Sequence, residues 1–259
     1  MTNIALITGA SSGIGMEFAR YHAAKGGDVV LTARSADKLA NLAAELEAAH
    51  GIKAHVFAAD LGRAEGAAQL IQQIADAGLS IDILINNAGF GGRGAFVERP
   101  LEDELEMIDL NVKALVVLCH YFGAGMAERG NGRILNVGST AGFMPGPLQA
   151  TYFATKAFVK SFSQALDHEL RPQGVTVTLL APGYVVTGFA ERAGLEGTKL
   201  VSSGGRSAAS AAQHGYDAMM RGTLVTVNEG LLGIAVNWVI PLLPRRMVMG
   251  MIERMQRKS

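Results

Sequence analysis

The sequence predicts an α/β protein built on a parallel sheet with helices on both faces. Three observations carry this. Short runs rich in Val, Ile and Leu alternate with longer helical stretches from residue 4 to residue 227. The runs are apolar throughout rather than at every second residue, which marks strands buried on both faces. Parallel neighbours need a crossover, and the helical stretches supply one between each pair.

The elements read in order as follows. Residues 4–8 form a strand, and residues 13–25 a helix stopped by Gly26-Gly27. Residues 29–32 are a second strand. An Ala/Leu/Glu helix over 36–50 ends at Gly51. Residues 54–58 are a third strand, 63–77 a helix and 81–85 a fourth strand. A long helix follows over 101–129. Residues 133–137 are the fifth strand and 150–171 a helix stopped by Pro172. Residues 175–180 are the sixth strand and 223–227 the seventh. With no Pro/Ser-rich linker and no repeat, residues 1–259 read as one domain.

Composition narrows the function classes. Lys plus Arg number 23 and Asp plus Glu number 23, so no electrostatic footprint for nucleic acid exists. The charged share, 18%, is low and points to surface covered by a partner subunit or a ligand. The single cysteine, Cys119, excludes an internal disulfide and a cysteine-based metal site. The six histidines (22, 50, 55, 120, 168 and 214) show no metal-ligand spacing and read as structural, so no metal is expected. No signal peptide and no uninterrupted apolar run of about 18 residues is seen, which makes the cytoplasm the expected location.

The first strand runs into Thr8-Gly9-Ala10-Ser11-Ser12-Gly13-Ile14-Gly15. Glycines also serve ordinary turns. Between a strand and a helix they let backbone approach a pyrophosphate, which the helix N-terminus then receives. The expected architecture is a single-domain Rossmann-type doubly wound sheet, with about seven parallel strands flanked by helices. The spacing is Gly-x-x-x-Gly-x-Gly. With Asn86-Asn87-Ala88-Gly89 after the fourth strand, Asn111, Ser139, Tyr152-Phe-Ala-Thr-Lys156 and Pro182-Gly183, it resembles the short-chain dehydrogenase/reductase family. The resemblance spans residues 3 to about 187.

The resemblance implies a nicotinamide dinucleotide held by Gly9, Ser11, Ser12, Gly13, Ile14, Gly15, Asp60, Leu61, Asn87, Ala88, Gly89, Tyr152, Lys156, Pro182, Gly183, Val185 and Thr187. Asp60 looks like the family residue near the adenine amino group; capping the next helix is its other reading. Thr187 resembles the threonine that contacts the nicotinamide carboxamide. The second strand ends in Ala33-Arg34 where a carboxylate would repel a 2′-phosphate. A guanidinium grips phosphate with paired bonds, so NADP(H) is the expected cofactor, with Ser12 and Lys38 assisting. Arg34 as a plain solvated residue is the alternative.

Tyr152 and Lys156 are four apart on a predicted helix and share a face. A cation about 4 Å from the phenol would favour the phenolate by about three pK units. Ser139, at the end of the fifth strand, can hold a substrate oxygen. The resemblance gives Asn111 a supporting role in a proton route to the lysine. An ordinary surface pair is the other reading of Tyr152 and Lys156. The activity implied is an NADP(H)-dependent interconversion of a carbonyl and a secondary alcohol. Phe143, Met144 and Leu148 beyond the serine suggest a hydrophobic ketone or 3-oxoacyl substrate. Two other readings stay open. A non-catalytic NADP-binding sensor or partner module could dispense with tyrosine, lysine and serine, and all three are present. An epimerase or dehydratase would need room for a sugar nucleotide, and the C-terminal part is short.

Residues 188–212, rich in Gly, Ser and Ala, resemble the family's mobile lid. The acidic run Glu102, Asp103, Glu104 and Glu106 reads as a charged first turn of a helix. The apolar and basic extension, 228–259, has three readings: packing on the sheet or a sister subunit, a wall of a greasy pocket, or a membrane-surface helix. The resemblance implies a homodimer or homotetramer, with 101–129 and 150–171 as contact faces.

Overall fold

A computed structural model describes residues 3–202 and 204–258. The chain runs β1 (Ile4–Thr8), α1 (Gly13–Ala23), β2 (Asp28–Thr32), α2 (Ala36–His50), β3 (Ala54–Val56), α3 (Gly66–Asp76) and β4 (Ile83–Asn86). Then come α4 (Leu101–Ile108), α5 (Leu115–Glu128), β5 (Gly132–Val137), α6 (Ala150–Leu170) and β6 (Val175–Leu180). The remainder is β7 (Val185–Val186), α7 (Phe189–Arg192), α8 (Lys199–Ser202), β8 (Arg206–Ser207), α9 (Ala208–Met220), β9 (Val225–Thr226), α10 (Gly230–Ile234) and α11 (Arg245–Gln256).

Seven strands form one parallel sheet in the order β3-β2-β1-β4-β5-β6-β9. This is the expected doubly wound sheet. Side chains alternate between its faces. Leu6, Val30, Leu84, Ile134 and Val177 meet Leu70, Leu118, Phe122 and Val159 from α3, α5 and α6. Ala5, Ile7, Val29, Leu31 and Ile85 meet Phe18, Leu39, Leu46 and Tyr216 from α1, α2 and α9. Strand order reverses between β1 and β4, and ligand crevices open at the carboxyl ends of strands at such a point.

Three features depart from the expected elements. The helix over Leu101–Glu128 is long and apolar enough by length and composition to cross a bilayer. It lies on the sheet through Leu115, Leu118, Cys119, Phe122 and Met126, and it widens to a π-helix over Asp109–Ala114. The seventh strand pairs through only two residues, Val225 and Thr226. Residues 188–212 hold two short helices and a strand, and their last five residues begin α9. Ser207 caps α9 by accepting from the Ser210 N–H at 3.2 Å. Ala211 and Ala212 are fully buried. Small side chains let α9 approach α1, where His22 Nδ1 lies 2.8 Å from the Tyr216 hydroxyl.

Candidate active site

A cavity of about 770 Å³ opens at the carboxyl ends of β1, β4, β5 and β6, large enough for a dinucleotide with a substrate beside it. The switch point is bolted by side chains. Thr8 Oγ1 accepts from the N–H groups of Asn87 and Ala88, both at 2.9 Å, and Asn87 Nδ2 donates to Thr8 O at 2.9 Å. Gly9, at φ +67°, turns the chain beneath Asn87.

The expected cofactor residues divide between the wall of the cavity and its support. Gly9, Ser11, Ser12, Gly13 and Ile14 line it from the loop. Arg34, Asp60 and Leu61 line the next stretch, followed by Asn87, Ala88 and Gly89. Pro182, Gly183, Val185 and Thr187 close it from above β6. Gly15, Lys38 and Asn111 are not among the lining residues. Gly15 is buried behind the loop, where a Cβ would stand against Gly9 O and 2.5 Å from Asn87 Nδ2. Lys38 is exposed on the first turn of α2. Asp60 does not cap α3, which starts six residues later; its carboxylate instead accepts from the Gly62 N–H at 3.1 Å and shapes the turn.

The lining fits an anionic dinucleotide. Ser12 sits at the N-cap of α1 without a side-chain cap bond, leaving the first-turn N–H groups to face the loop. Arg34 is exposed, and among the described residues it forms no ion pair with a carboxylate. Phosphate groups would satisfy both features.

Helix α6 brings Tyr152 and Lys156 to the cavity, and both side chains are buried. Its register is pinned by Asn136 Nδ2, which donates to Ser163 Oγ at 2.9 Å, and by Asp167 Oδ1, which accepts from the Val177 N–H at 2.8 Å. Ser139 lines the cavity at the end of β5; its Oγ accepts from the Ala141 N–H at 3.1 Å. Lysine and phenol share the face that their spacing predicts. Lys156 Nζ lies 5.8 Å from the Tyr152 ring centroid and donates to Val137 O at 2.9 Å. Burial therefore governs Tyr152 and pushes its phenol up to about 12, with the Ser139 hydroxyl pulling the other way. Burial pushes the Lys156 ammonium down to about 8.

Asn111 lies behind the site in the π-helical turn. Its Nδ2 donates to Phe90 O at 2.9 Å and to Thr155 Oγ1 at 3.2 Å, and its Oδ1 accepts from the Phe90 N–H at 3.1 Å. It thus fastens the chain just after Gly89 to α6. The acidic run does open α4, but Glu104 turns inward and pairs with Arg99. Among the described residues no cluster of three or more His, Cys, Asp or Glu side chains is placed to hold a metal ion.

The far wall was read from the sequence only as one of three roles for 228–259, with no residue named. Phe90, Phe153, Tyr184, Phe189 and Leu195 line the cavity, and so do Leu232, Val236, Ile240, Met251, Ile252 and Met255 from the C-terminal extension. Of the three residues expected beyond the serine, Met144 lines it; Phe143 is buried in the core and Leu148 is not a lining residue. The extension is latched in place. Gln149 Nε2 donates to Gln256 Oε1 at 2.8 Å, and Arg93 Nε donates to Gln256 O at 2.6 Å. The apolar run 231–243 and the methionines that follow it were the legible signals for this wall.

The family model described as short chain dehydrogenase matches residues 3–196. A very-long-chain 3-oxoacyl-CoA reductase of Laccaria bicolor is 37% identical over 185 residues, 71% of this chain and 55% of that protein. The chain therefore spans about half the length of that relative. A solved short-chain dehydrogenase from Sphingobium yanoikuyae, in complex with NADPH, is 34% identical with a TM-score of 0.84, covering 99% of each chain. The bulky-bulky ketone specific alcohol dehydrogenase from Comamonas testosteroni is 30% identical with a TM-score of 0.78, covering 94% of this chain and 95% of that one. Glycine loop, Asn86-Asn-Ala-Gly89 turn, serine, tyrosine and lysine thus occupy one crevice of one sheet, and the chain belongs to the short-chain dehydrogenase/reductase family.

Proposed function

We propose that the protein is an NADP(H)-dependent oxidoreductase that interconverts a hydrophobic ketone or 3-oxoacyl compound and its secondary alcohol. The carrying observation is that Ser139, Tyr152 and Lys156 line the same cavity as the glycine loop and Arg34. The NADPH complex of the Sphingobium relative supports the cofactor, and the relatives that act on oxoacyl and bulky ketone substrates support the substrate class.

NADPH, when bound, supplies the hydride. Gly9 and residues 11–14 would receive its pyrophosphate, Arg34 its 2′-phosphate, and Asp60 with Asn87–Gly89 its adenosine half. Tyr152, protonated at neutral pH because burial raises its phenol, donates a proton to the substrate oxygen. Ser139 hydrogen-bonds the same oxygen and stabilises charge that develops there. Lys156, still a cation at neutral pH, stabilises the phenolate left behind. Asn111 is a positioning residue that holds the Phe90 backbone against α6.

The lid reading is narrowed to residues 188–207, since α9 belongs to the core. Exposed Leu101, Leu105, Val117 and Phe158 support the proposed homodimer or homotetramer through α4, α5 and α6. The one buried, unpaired cysteine suits a reducing, cytoplasmic compartment.

The test is NADPH oxidation against ketones running from short diketones to 3-oxoacyl thioesters and steroids, repeated with NADH. Tyr152→Phe is expected to lower kcat at least about a hundredfold, with NADPH binding intact by fluorescence titration. Unchanged turnover in that variant would remove Tyr152 from the chemistry. Bound NADPH with no turnover of any ketone would transfer the protein to the sensor class.

A further inference from the structure

The C-terminal extension is apolar on two sides. Over residues 230–242, Leu232, Val236 and Ile240 face inward and line the cavity. Leu231, Ile234, Trp238 and Leu242 recur at helical spacing on the opposite side and are 86%, 58%, 74% and 85% exposed. An apolar face this continuous on the outside of a folded chain marks an interaction surface. Its charge surroundings are one-sided. Arg245, Arg246, Arg254, Arg257 and Lys258 follow it, against the single carboxylate Glu253, in a chain of zero formal net charge.

We propose that this face docks on an anionic lipid surface, with the outer side of 230–242 in the headgroup–acyl boundary and Arg245 and Arg246 on lipid phosphates. Thirteen residues are too few to span a bilayer, so the segment lies in the surface plane. Tryptophan at the centre and arginines at the edge are the residue types that settle at that depth. The cavity decides between lipid and a second copy of the chain. Met251 and Met255 line the cavity and are also 47% and 40% exposed, so the cavity meets the outside along this wall. A protein seated there would cover the entrance, whereas a lipid surface would deliver an apolar substrate to it. The argument from substrate entry rests on the hydrophobic-carbonyl reading above; the face and its charge stand without it.

Trp238 is the only tryptophan in the chain, so the wild-type protein carries its own reporter. The full chain is mixed with vesicles of phosphatidylcholine alone, or of phosphatidylcholine with phosphatidylglycerol. The expected result is flotation with the anionic vesicles, Trp238 emission moved to shorter wavelength, and quenching by lipids brominated in the acyl chains. Arg245→Gln with Arg246→Gln weakens anionic-vesicle binding roughly tenfold or more. Leu231→Glu with Leu242→Glu abolishes flotation while turnover of a water-soluble ketone persists. Wild-type protein that stays in the aqueous phase overturns the proposal. So does a Trp238 already shielded from acrylamide in a dimer that Leu231→Glu separates, which assigns the face to a second copy. Flotation, Trp238 emission and quenching need no turnover, so failure here leaves the oxidoreductase reading standing, and failure of turnover leaves this one standing.

Discussion

The two ends of the cavity are built differently. The cofactor end is made of backbone: strand termini, a glycine loop and a turn, tied by bonds such as Asn87 Nδ2 to Thr8 O. The substrate end is made of side chains: phenylalanines, leucines and methionines on short helices, held by a few contacts such as Gln149 to Gln256. The cofactor end has strands of four and five residues beneath it, and the substrate end has strands of two. The difference matches the ligands. A dinucleotide is one molecule of fixed shape and is met by a rigid surface; apolar substrates differ in bulk and are met by a wall whose methionines can repack.

The largest effect is expected where backbone packs on backbone. In Gly15→Ala the new methyl stands against Gly9 O and 2.5 Å from Asn87 Nδ2, with no flexible side chain to give way except through the Asn87–Thr8 bond. Overpacking of this kind costs about 3 kcal/mol. Urea unfolding and NADPH titration should both worsen. A variant of unchanged stability that binds NADPH normally would show that the loop is not the rigid end.

The same contrast explains what the sequence revealed. All seven strands and the loop were legible because continuous apolar runs and glycine spacing are local signals, although the seventh pairs over only two of its five expected residues. Tyr152, Lys156 and Ser139 were legible as a pattern, but not their geometry. Nothing in the spacing says that Nζ donates to Val137 O. The π-helical turn at Asn111 was hidden because Asp109–Ala114 reads as ordinary helix, with no glycine or proline to mark it. Helix α9 was hidden by composition: its Ala, Ser and Gly look like a loop, yet small residues are what its close packing requires. Gly215, for example, has Leu180 Cδ2 where a Cβ would go.

Lys156 sits where the two ends meet, and the sign of its effect is opposite. Its folded-state pKa is near 8 against an ordinary value of 10.5. Below about pH 8 the ammonium is charged in both folded and unfolded chains, and burial disfavours the folded one in full. Between about 8 and 10.5 the folded chain has released its proton while the unfolded chain keeps it, so stability rises with pH. The shift corresponds to about 3 kcal/mol. Lys156→Met should therefore raise the unfolding temperature at pH 7 while abolishing turnover, and the gap over wild type should close as pH approaches 10.5. A variant less stable than wild type at pH 7 would mean that the bond to Val137 O outweighs burial.

The smallest effect is expected at the latch. Gln256 is 2% exposed, yet among the described residues its side chain bonds to Gln149, whose own Oε1 is buried without a hydrogen bond to any of them. Gln256→Ala removes one neutral bond, about 1 kcal/mol, and keeps the backbone contact from Arg93. If the substrate wall is a separate, side-chain-built end, the loss stays there. KM for a bulky ketone then rises about fivefold, while KM for a small diketone and the affinity for NADPH hold. Gln256→Asn, which keeps an amide but draws it back by one methylene, should fall between the two. Parallel losses in NADPH affinity and ketone KM would mean that α11 braces the whole cavity, and the division into a rigid end and a yielding end would fail. A selective loss would make α11 the element on which substrate range is set, since it is tied to the site by so little and touches so much of the apolar wall.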